Sequence, residues 1–376
     1  MMQKEEINAL LQKKQAGNCT PEEINFLESW YAQWNKDLPL GLTEEELLED
    51  LFIIKKMTST LPAERKSITL SQRLLIAASL VVMVSVGLYY YLYSQRADYN
   101  LALHDIQPGS NKATVTLANG QKFDLKNLTG GVVVDKSGLE YNDGTDINGI
   151  GSTEVVAQQL VLATPKGGQY QITLADGTKV WLNAASSLKF LSSFAGQKER
   201  RVELTGEAYF EVKHDAKQPF RVISAGQIAE DLGTSFNINC YVDEPLSKTT
   251  LVEGSMQIQR LKNAQHLKTV VLKPSQQVSI DAEGTITSRS VDTEETLGWK
   301  NDNFIFDGED LNSAMRKIAR WYNVDVVYEP GLKISSTPVL EGLISRKSKL
   351  SEVLKWIETV GGVRFKIEGR RVTVMK

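Results

Sequence analysis

From Leu74 to Gln95 the sequence carries no charged residue, and LLIAASLVVMVSVGLYYYLY (Leu74–Tyr93) is a run of twenty residues with few polar atoms. At about 1.5 Å of rise per residue such a helix spans roughly 30 Å, the thickness of a bilayer's hydrocarbon core. The run begins too deep in the chain for a secretory signal peptide, whose apolar stretch falls within the first ~30 residues. The alternative is a buried core helix. Its length, its flanking charges and the tyrosines Tyr89, Tyr90, Tyr91 and Tyr93 weigh against that, because tyrosine rings suit a membrane interface where the hydroxyl stays wet. Residues 74–95 are therefore predicted to form one transmembrane helix.

The flanking charges orient it. Lys55, Lys56, Arg65, Lys66 and Arg73 precede the span, against Arg96 and Lys112 after it. The positive-inside rule places residues 1–73 in the cytoplasm and residues 96–376 outside it. Cys19 and Cys240 then lie on opposite sides and cannot pair within one molecule. Two cysteines exclude a disulfide scaffold or a multi-thiolate site, and His104, His214 and His266 have no ligand partners at metal spacing. No metal or cofactor is expected. With 43 basic and 46 acidic residues the net charge is −3, so no global positive field recommends direct binding of nucleic acid.

Residues 1–73 read as a small all-α domain. Thr20-Pro21-Glu22-Glu23 is a helix start, with threonine as cap, proline at the first position and glutamate three residues after the cap. Ile24, Phe26, Leu27, Trp30, Tyr31 and Trp34 come next at helical spacing. A second start at Thr43 opens a helix with Leu47, Leu48, Leu51, Phe52 and Ile54, and Ile7, Leu10 and Leu11 mark a short first helix. Three short helices make a small core, and a domain of that size often completes its packing on a partner. Residues 1–50 hold eleven acidic and four basic residues. That balance suits either a solvated bundle or an acidic, aromatic face (Phe26, Trp30, Trp34) covering a basic protein.

Beyond the span the period changes to two. Thr114–Leu125 (TVTLANGQKFDL) and Gln171–Leu182 (QITLADGTKVWL) each set Asn-Gly or Asp-Gly between alternating runs, the signature of a tight hairpin. Further strands are predicted at Arg201–Leu204, Ala208–Val212, Phe220–Ile223, Thr234–Tyr241, Thr249–Val252, Ser255–Gln259, Val270–Leu272 and Gln277–Ile280. Gly130–Gly151 reads as a loop or loose hairpin with no phosphate-cradle spacing. The expected organisation is a β-rich connecting region at 96–160 and an all-β domain at 161–290, a sandwich or a solenoid-like stack.

Residues 299–376 read as an α+β domain of two β-α-β units. Leu311, Ala314, Met315, Ile318, Val324, Val326 and Tyr328 recur 39 residues later as Leu350, Val353, Leu354, Ile357, Val363, Phe365 and Ile367. The final strand, Val372–Met375, is expected to offer a free edge to which another protein adds a strand.

Several segments, in order, resemble the core of FecR-type anti-sigma factors. They are Thr164-Pro165-Lys166-Gly167-Gly168, Leu174–Asn183 (LADGTKVWLN) and Val202–Val212 (VELTGEAYFEV). Pro219–Val222 (PFRV), Leu232–Asn237 (LGTSFN) and Thr249–Ser255 (TTLVEGS) continue the match. The run Ala319-Arg320-Trp321-Tyr322 is similar to the small secretin/TonB short N-terminal-like domain that ends many members. The resemblance covers most of residues 160–376. It implies Asp176, Gly177, Trp181, Asn183, Gly206, Glu207, Phe210, Gly233, Thr234, Phe236 and Trp321 as structural motif residues; from the residues themselves, Trp181 and Tyr209 are expected to fill the β core and Gly206 to serve a turn.

It also implies a non-enzymatic, single-pass inner-membrane regulator in a Gram-negative bacterium. Such a protein binds an extracytoplasmic-function sigma factor inside and responds outside to the signalling domain of a TonB-dependent outer-membrane receptor. Two other classes are weighed against it, a membrane-anchored periplasmic binding or assembly module and a tethered carbohydrate-active enzyme. For the latter, Asp176, Glu207 and Glu211 would have to supply an acid–base pair, yet each lies in a turn or strand motif.

Overall fold

Alternating apolar and polar side chains dictate the architecture of the larger part of the chain. In the computed structural model the described residues are 9–10, 12–14, 19–27, 29, 82–88, 105–125, 131–134, 138–147, 158–231, 233–260, 269–332 and 338–376. The chain divides into two units, Met1–Ser85 and Val86–Lys376.

In the first unit, residues 21–27 are helical. Thr20 and Glu23 cap each other: the Glu23 amide donates to Thr20 Oγ1 at 3.3 Å and the Thr20 amide to Glu23 Oε2 at 2.9 Å, the reciprocal box expected. Leu27 is buried, while Phe26 is 41% exposed. Trp30, Trp34 and the helix expected from Thr43 lie outside the described residues. Residues 82–88 are helical, and Val82, Met83, Val84, Val86 and Leu88 are exposed. No helix among the described residues is long and apolar enough to cross a membrane; the remainder of 74–95 lies outside them.

In the second unit the strands run β1 (Ser110–Asn111), β2 (Ala113–Thr116), β3 (Lys122–Leu125), β4 (Val132–Val134), β5 (Leu139–Tyr141) and β6 (Gln159–Thr164). They continue as β7 (Gly168–Thr173), β8 (Lys179–Leu182), β9 (Ser186–Leu191), β10 (Arg200–Glu211), β11 (Phe220–Ser224) and β12 (Gln227–Asp231). The last six are β13 (Ser235–Cys240), β14 (Ser247–Glu253), β15 (Met256–Arg260), β16 (Thr269–Leu272), β17 (Gln276–Ile280) and β18 (Ile286–Ser290). Both predicted hairpins form, β2–β3 and β7–β8, and Gly120 and Gly177 take the positive φ their turns need. The 130–151 stretch contributes the hairpin β4–β5.

Two ladders emerge. One runs β3-β2-β6-β9-β10-β11-β12-β15-β16, the other β5-β4-β7-β8-β10-β13-β14-β17-β18. Their inner faces share one core, from Val115, Leu160 and Val222 on the first to Ile172, Phe236 and Val278 on the second. The architecture is a sandwich, and strand order in each layer largely tracks the chain, so it also advances like a stack. Phe210 lies 5.0 Å from Phe236 and 6.1 Å from Phe220, ring to ring. Burying each such ring stabilises by about 1.5–3 kcal/mol.

Strand β10 joins the layers. Its first half pairs with β9 and β11, its second half with β8 and β13. The change falls at Gly206, whose φ is +91°. Gly206 therefore serves not the expected turn but a bend within a strand, where one strand crosses between sheets.

The C-terminal elements are α1 (Thr293–Leu297), β19 (Asn303–Glu309), α2 (Leu311–Tyr322), β20 (Asp325–Tyr328), β21 (Leu340–Ser345), α3 (Leu350–Gly361), β22 (Arg364–Glu368) and β23 (Arg371–Met375). The two β-α-β units are present. Their first strands pair as β19–β21, and their second strands flank β23 in the order β20-β23-β22. This corrects the expectation of a free final strand: Val372 and Val374 are fully buried at the sheet's centre, and the edges belong to β20 and β22. Both helices turn Leu311, Met315, Ile318, Leu350, Leu354 and Ile357 into a second core.

A Cβ at Gly206 would lie 2.4 Å from Ser186 Oγ and 2.8 Å from Ser186 Cα, whereas one at Gly177 would meet nothing within 4 Å at a similar φ of +87°. Gly177→Ala should cost only the ~1–2 kcal/mol of a left-handed alanine. Gly206→Ala adds a backbone clash and should cost clearly more, roughly 3 kcal/mol or above. Denaturant midpoints of the two variants, measured side by side, check the order; equal losses would contradict the sheet-crossing role.

Candidate functional site

The motif residues converge on two polar clusters. One pins the end of the sandwich. Arg200, at 1% exposure, donates from Nη1 to Asp176 Oδ2 at 2.6 Å and to the Lys213 carbonyl at 2.6 Å, and from Nε to the Gln218 carbonyl at 2.8 Å. Asp176 also accepts from the Thr178 amide and hydroxyl. Nearby, Asp231 accepts from the Gly233 amide at 2.9 Å and from the Thr234 hydroxyl. Burial raises the Asp231 carboxyl above its ordinary range, against the lowering effect of those bonds and of Arg200.

The second cluster lies where the sandwich meets the α+β domain. Glu207, on the residue after the β10 bend, accepts from Asn183 Nδ2 at 2.7 Å and Asn237 Nδ2 at 3.1 Å. Asn183 Oδ1 accepts in turn from Arg346 Nη2 at 2.9 Å. Arg346 donates from Nη1 to the Trp299 carbonyl at 2.6 Å and lies 3.7 Å over the Trp321 ring. Trp321 Nε1 donates to the Arg346 carbonyl, and Trp299 Nε1 to Asn237 Oδ1. Burial lowers the Arg346 guanidinium from its usual range while Glu207 opposes that; arginine nonetheless remains charged in proteins.

Ion pairs close the rim. In the β13–β14 turn, Glu244 accepts from Arg316 Nη2 at 2.5 Å and Arg320 Nη2 at 2.6 Å, and Asp243 pairs with Arg320 at 3.0 Å. The Thr164–Gly168 motif joins in, since the Gly167 amide donates to the Arg320 carbonyl at 2.7 Å. Below it, Tyr241 donates its hydroxyl to the Ala184 carbonyl and lies under Arg320.

Trp181 and Tyr209 stand apart from the core they were expected to fill. They pair across β8 and β10 on the outer face, with the Lys300 ammonium 4.4 and 4.8 Å from their rings. The strand period explains this: Leu182 and Phe210, their neighbours in sequence, point inward and take the core positions. Phe210 and Phe236 are core residues, Gly177 is a turn residue, and Asn183, Glu207 and Trp321 meet at the junction. Asp176, Glu207 and Glu211 do not gather into an acid–base pair. Asp176 is bound by Arg200, Glu207 by two asparagines, and Glu211 lies 3.8 Å from Lys300.

Sequence reasoning missed the buried arginines Arg200, Arg320 and Arg346. Only Arg320 left a signal, a charge set between the apolar residues of Ala319-Arg320-Trp321-Tyr322. The sandwich and residues 300–376 also share more than their separate patterns suggest. Removing the latter would strip Asn183 of Arg346, and would leave Trp299, the partner of Asn237, at the cut end.

Burial would raise the Glu244 carboxyl, but the bonds from Arg316 and Arg320 outweigh it and leave it below the ordinary value of 4.5. A carboxyl depressed in the fold contributes stability that is complete above the unfolded value and lost as pH falls through the folded one. The thermal midpoint of the full chain should therefore exceed that of Glu244→Gln at pH 7, with the gap closing progressively below about pH 4.5. A gap constant down to about pH 3, well below the ordinary carboxylate range, would show that the ion pairs do not hold the junction.

Comparison with known proteins agrees with this two-part organisation. Residues 161–257 match the model described as FecR protein, and residues 303–374 match that described as FecR, C-terminal. A crystal structure of a "putative anti-sigma factor" from Parabacteroides distasonis ATCC 8503 superposes with a TM-score of 0.53 at 27% identity, covering 57% of this chain and 98% of that one. A second structure described in the same words, from the same organism, gives 0.53 at 26%, covering 58% and 99%. No curated protein matches. Residues 161–257 and 303–374 are thus similar to FecR-type domains, and the region they span shares its fold with structures described as anti-sigma factors.

Proposed function

We propose that this protein is a single-pass inner-membrane anti-sigma factor. Residues 1–73 bind an extracytoplasmic-function sigma factor in the cytoplasm, residues 74–95 span the membrane, and the rest senses a TonB-dependent outer-membrane receptor in the periplasm. The observation that carries the reading is the FecR domain together with its C-terminal partner, on the fold of a protein described as an anti-sigma factor. The uncharged run 74–95, its basic N-terminal flank and the exposed apolar helical residues 82–88 support the span. The exposed Phe26 and the acidic balance of residues 1–50 support an encounter with a basic partner. Receptor contact is assigned to the edges of the C-terminal domain, where β20 and β22 each have one side unpaired among the described strands.

Binding tests the cytoplasmic half. Residues 1–73 should capture an extracytoplasmic-function sigma factor encoded beside the protein, and Trp30→Ala with Trp34→Ala should weaken capture, aromatic anchors being frequent hot spots. Circular dichroism accompanies the assay. Retained helicity with unchanged affinity would remove that face from the proposal, and no capture by the parent segment would favour a membrane-anchored periplasmic module instead.

Topology has its own measurement. Alkaline phosphatase fused after Lys376 should be active, and fused after Lys56 inactive. The opposite pattern would invert the arrangement.

A further inference from the structure

Between Val291 and Asn303 the chain crosses the outer face of the second ladder as a strap. Its helix α1 has no buried residue, and among the described residues the backbone–backbone bonds of residues 293–301 reach no further than Asn303. Side chains fix the strap to the sheet: Trp299 Nε1 donates to Asn237 Oδ1 at 3.1 Å, and Lys300 lies over Trp181 and Tyr209. Cavities of about 100 and 190 Å³ both have Trp299 in their lining. A segment with little buried surface and voids beside it belongs to the low-stability end of a fold and opens before the core does.

The Lys300 contact has the form of a ligand in a site. The Trp181 and Tyr209 rings have centroids 5.7 Å apart and planes at 53°, so they make two walls of a cleft. The Lys300 ammonium sits 4.4 Å from the first centroid and 4.8 Å from the second, inside the ~6 Å over which a ring face attracts a cation. Glu211, two residues after Tyr209 and so on the same face of β10, lies 3.8 Å from the ammonium. No hydrogen bond to that ammonium is present among the described residues. Ring faces and one long ion pair therefore hold it, with the Lys300 side chain at 22% exposure. Two aromatic faces and a carboxylate are the recognition set for an alkylammonium group.

We propose that Trp181, Tyr209 and Glu211 form an alkylammonium-binding cage, filled here by the chain's own Lys300, and that a lysine presented by another protein takes its place. The exchange frees the strap. Because the Trp299 carbonyl accepts from Arg346, a freed strap also loosens the junction of the sandwich with the α+β domain. The inference is independent of the sigma-factor reading, since it concerns the cage's own chemistry.

Emptying the cage tests it. The probe is Nα-acetyl-lysine methylamide, the control its uncharged isostere Nα-acetyl-norleucine methylamide, and binding to the full chain in detergent is followed by ligand-observed NMR at constant ionic strength. Lys300→Ala should bind the lysine probe saturably, at least about tenfold more tightly than it binds the control and than the unaltered chain binds the probe. Adding Trp181→Leu, on the outer face away from the core, should remove that binding. A second measurement needs no substitution. In the unaltered chain the lysine probe at about 0.1 M should speed amide hydrogen exchange across residues 293–301 about threefold over the control, the gain when it binds the open strap with a dissociation constant of about 50 mM. The proposal fails if Lys300→Ala does not saturate with the lysine probe below about 0.1 M, or if the control binds it as tightly. It fails equally if Trp181→Leu leaves the binding unchanged, or if exchange at 293–301 does not respond to the lysine probe.

Discussion

A positive charge held at 2% exposure organises the described part of this molecule. Taking a guanidinium out of water costs several kcal/mol unless its charge and its donors are met. Arg346 offsets most of that cost with groups drawn from separate stretches of chain, although its Nε–H has no protein partner: the Trp299 carbonyl, the Asn183 side chain, the Trp321 ring, and the charge of Glu207 relayed through Asn183. None of these is near the others in sequence. The network exists only when the sandwich and the α+β domain are both folded and set in one orientation. A buried polar relay of this kind fixes geometry more than it adds net stability.

Placing Glu207 is the sandwich's part in that arrangement. Strand β10 must leave one sheet and enter the other, and it bends at Gly206 because only a residue without Cβ fits against Ser186 at that φ. The same serine also holds the backbone beyond the bend, its hydroxyl accepting from the Glu207 amide at 2.9 Å. The bend therefore aims the next residue's carboxylate at Asn183 and Asn237. Local backbone geometry, core packing by Phe210 and the interdomain relay all depend on a few neighbouring positions of one strand.

Period-two alternation and the Asn-Gly and Asp-Gly turns make the hairpins legible, and the 39-residue repeat makes both β-α-β units legible. Those signals are local, one side chain and its neighbours a few positions away. What escapes is long-range. Short strands such as β1, β4 and β5 owe their pairing to neighbours already in place. The central position of β23 depends on parallel pairing with β20, which no local pattern encodes. Trp181 reads as core because tryptophan is highly buried on average, yet Leu182 beside it holds the inward phase and Lys300 covers the indole from outside. Arg346 sits between two ordinary surface residue types in sequence, Ser345 and Lys347, and its burial depends on Trp321 and Asn183 arriving from elsewhere.

The chain just beyond the uncharged run enters the same arrangement. Asp105 accepts from the Ser351 amide at 3.0 Å and from its hydroxyl at 2.9 Å, and the Leu350 amide donates to the Ile106 carbonyl at 3.0 Å. These bonds satisfy amides at the start of α3 that have no partner within the helix. The loop just before that helix holds Arg346, and its Ser348 carbonyl accepts from the Tyr322 hydroxyl at 2.7 Å. The start of α3 thus touches the chain arriving from the proposed span, while the adjoining loop touches the sandwich. Residue 105 is therefore tied to the C-terminal domain through one helix end, without the sandwich between them. The α+β domain, last in sequence, thus holds the start of the described second unit directly, through Asp105 and Ile106 at the end of one helix.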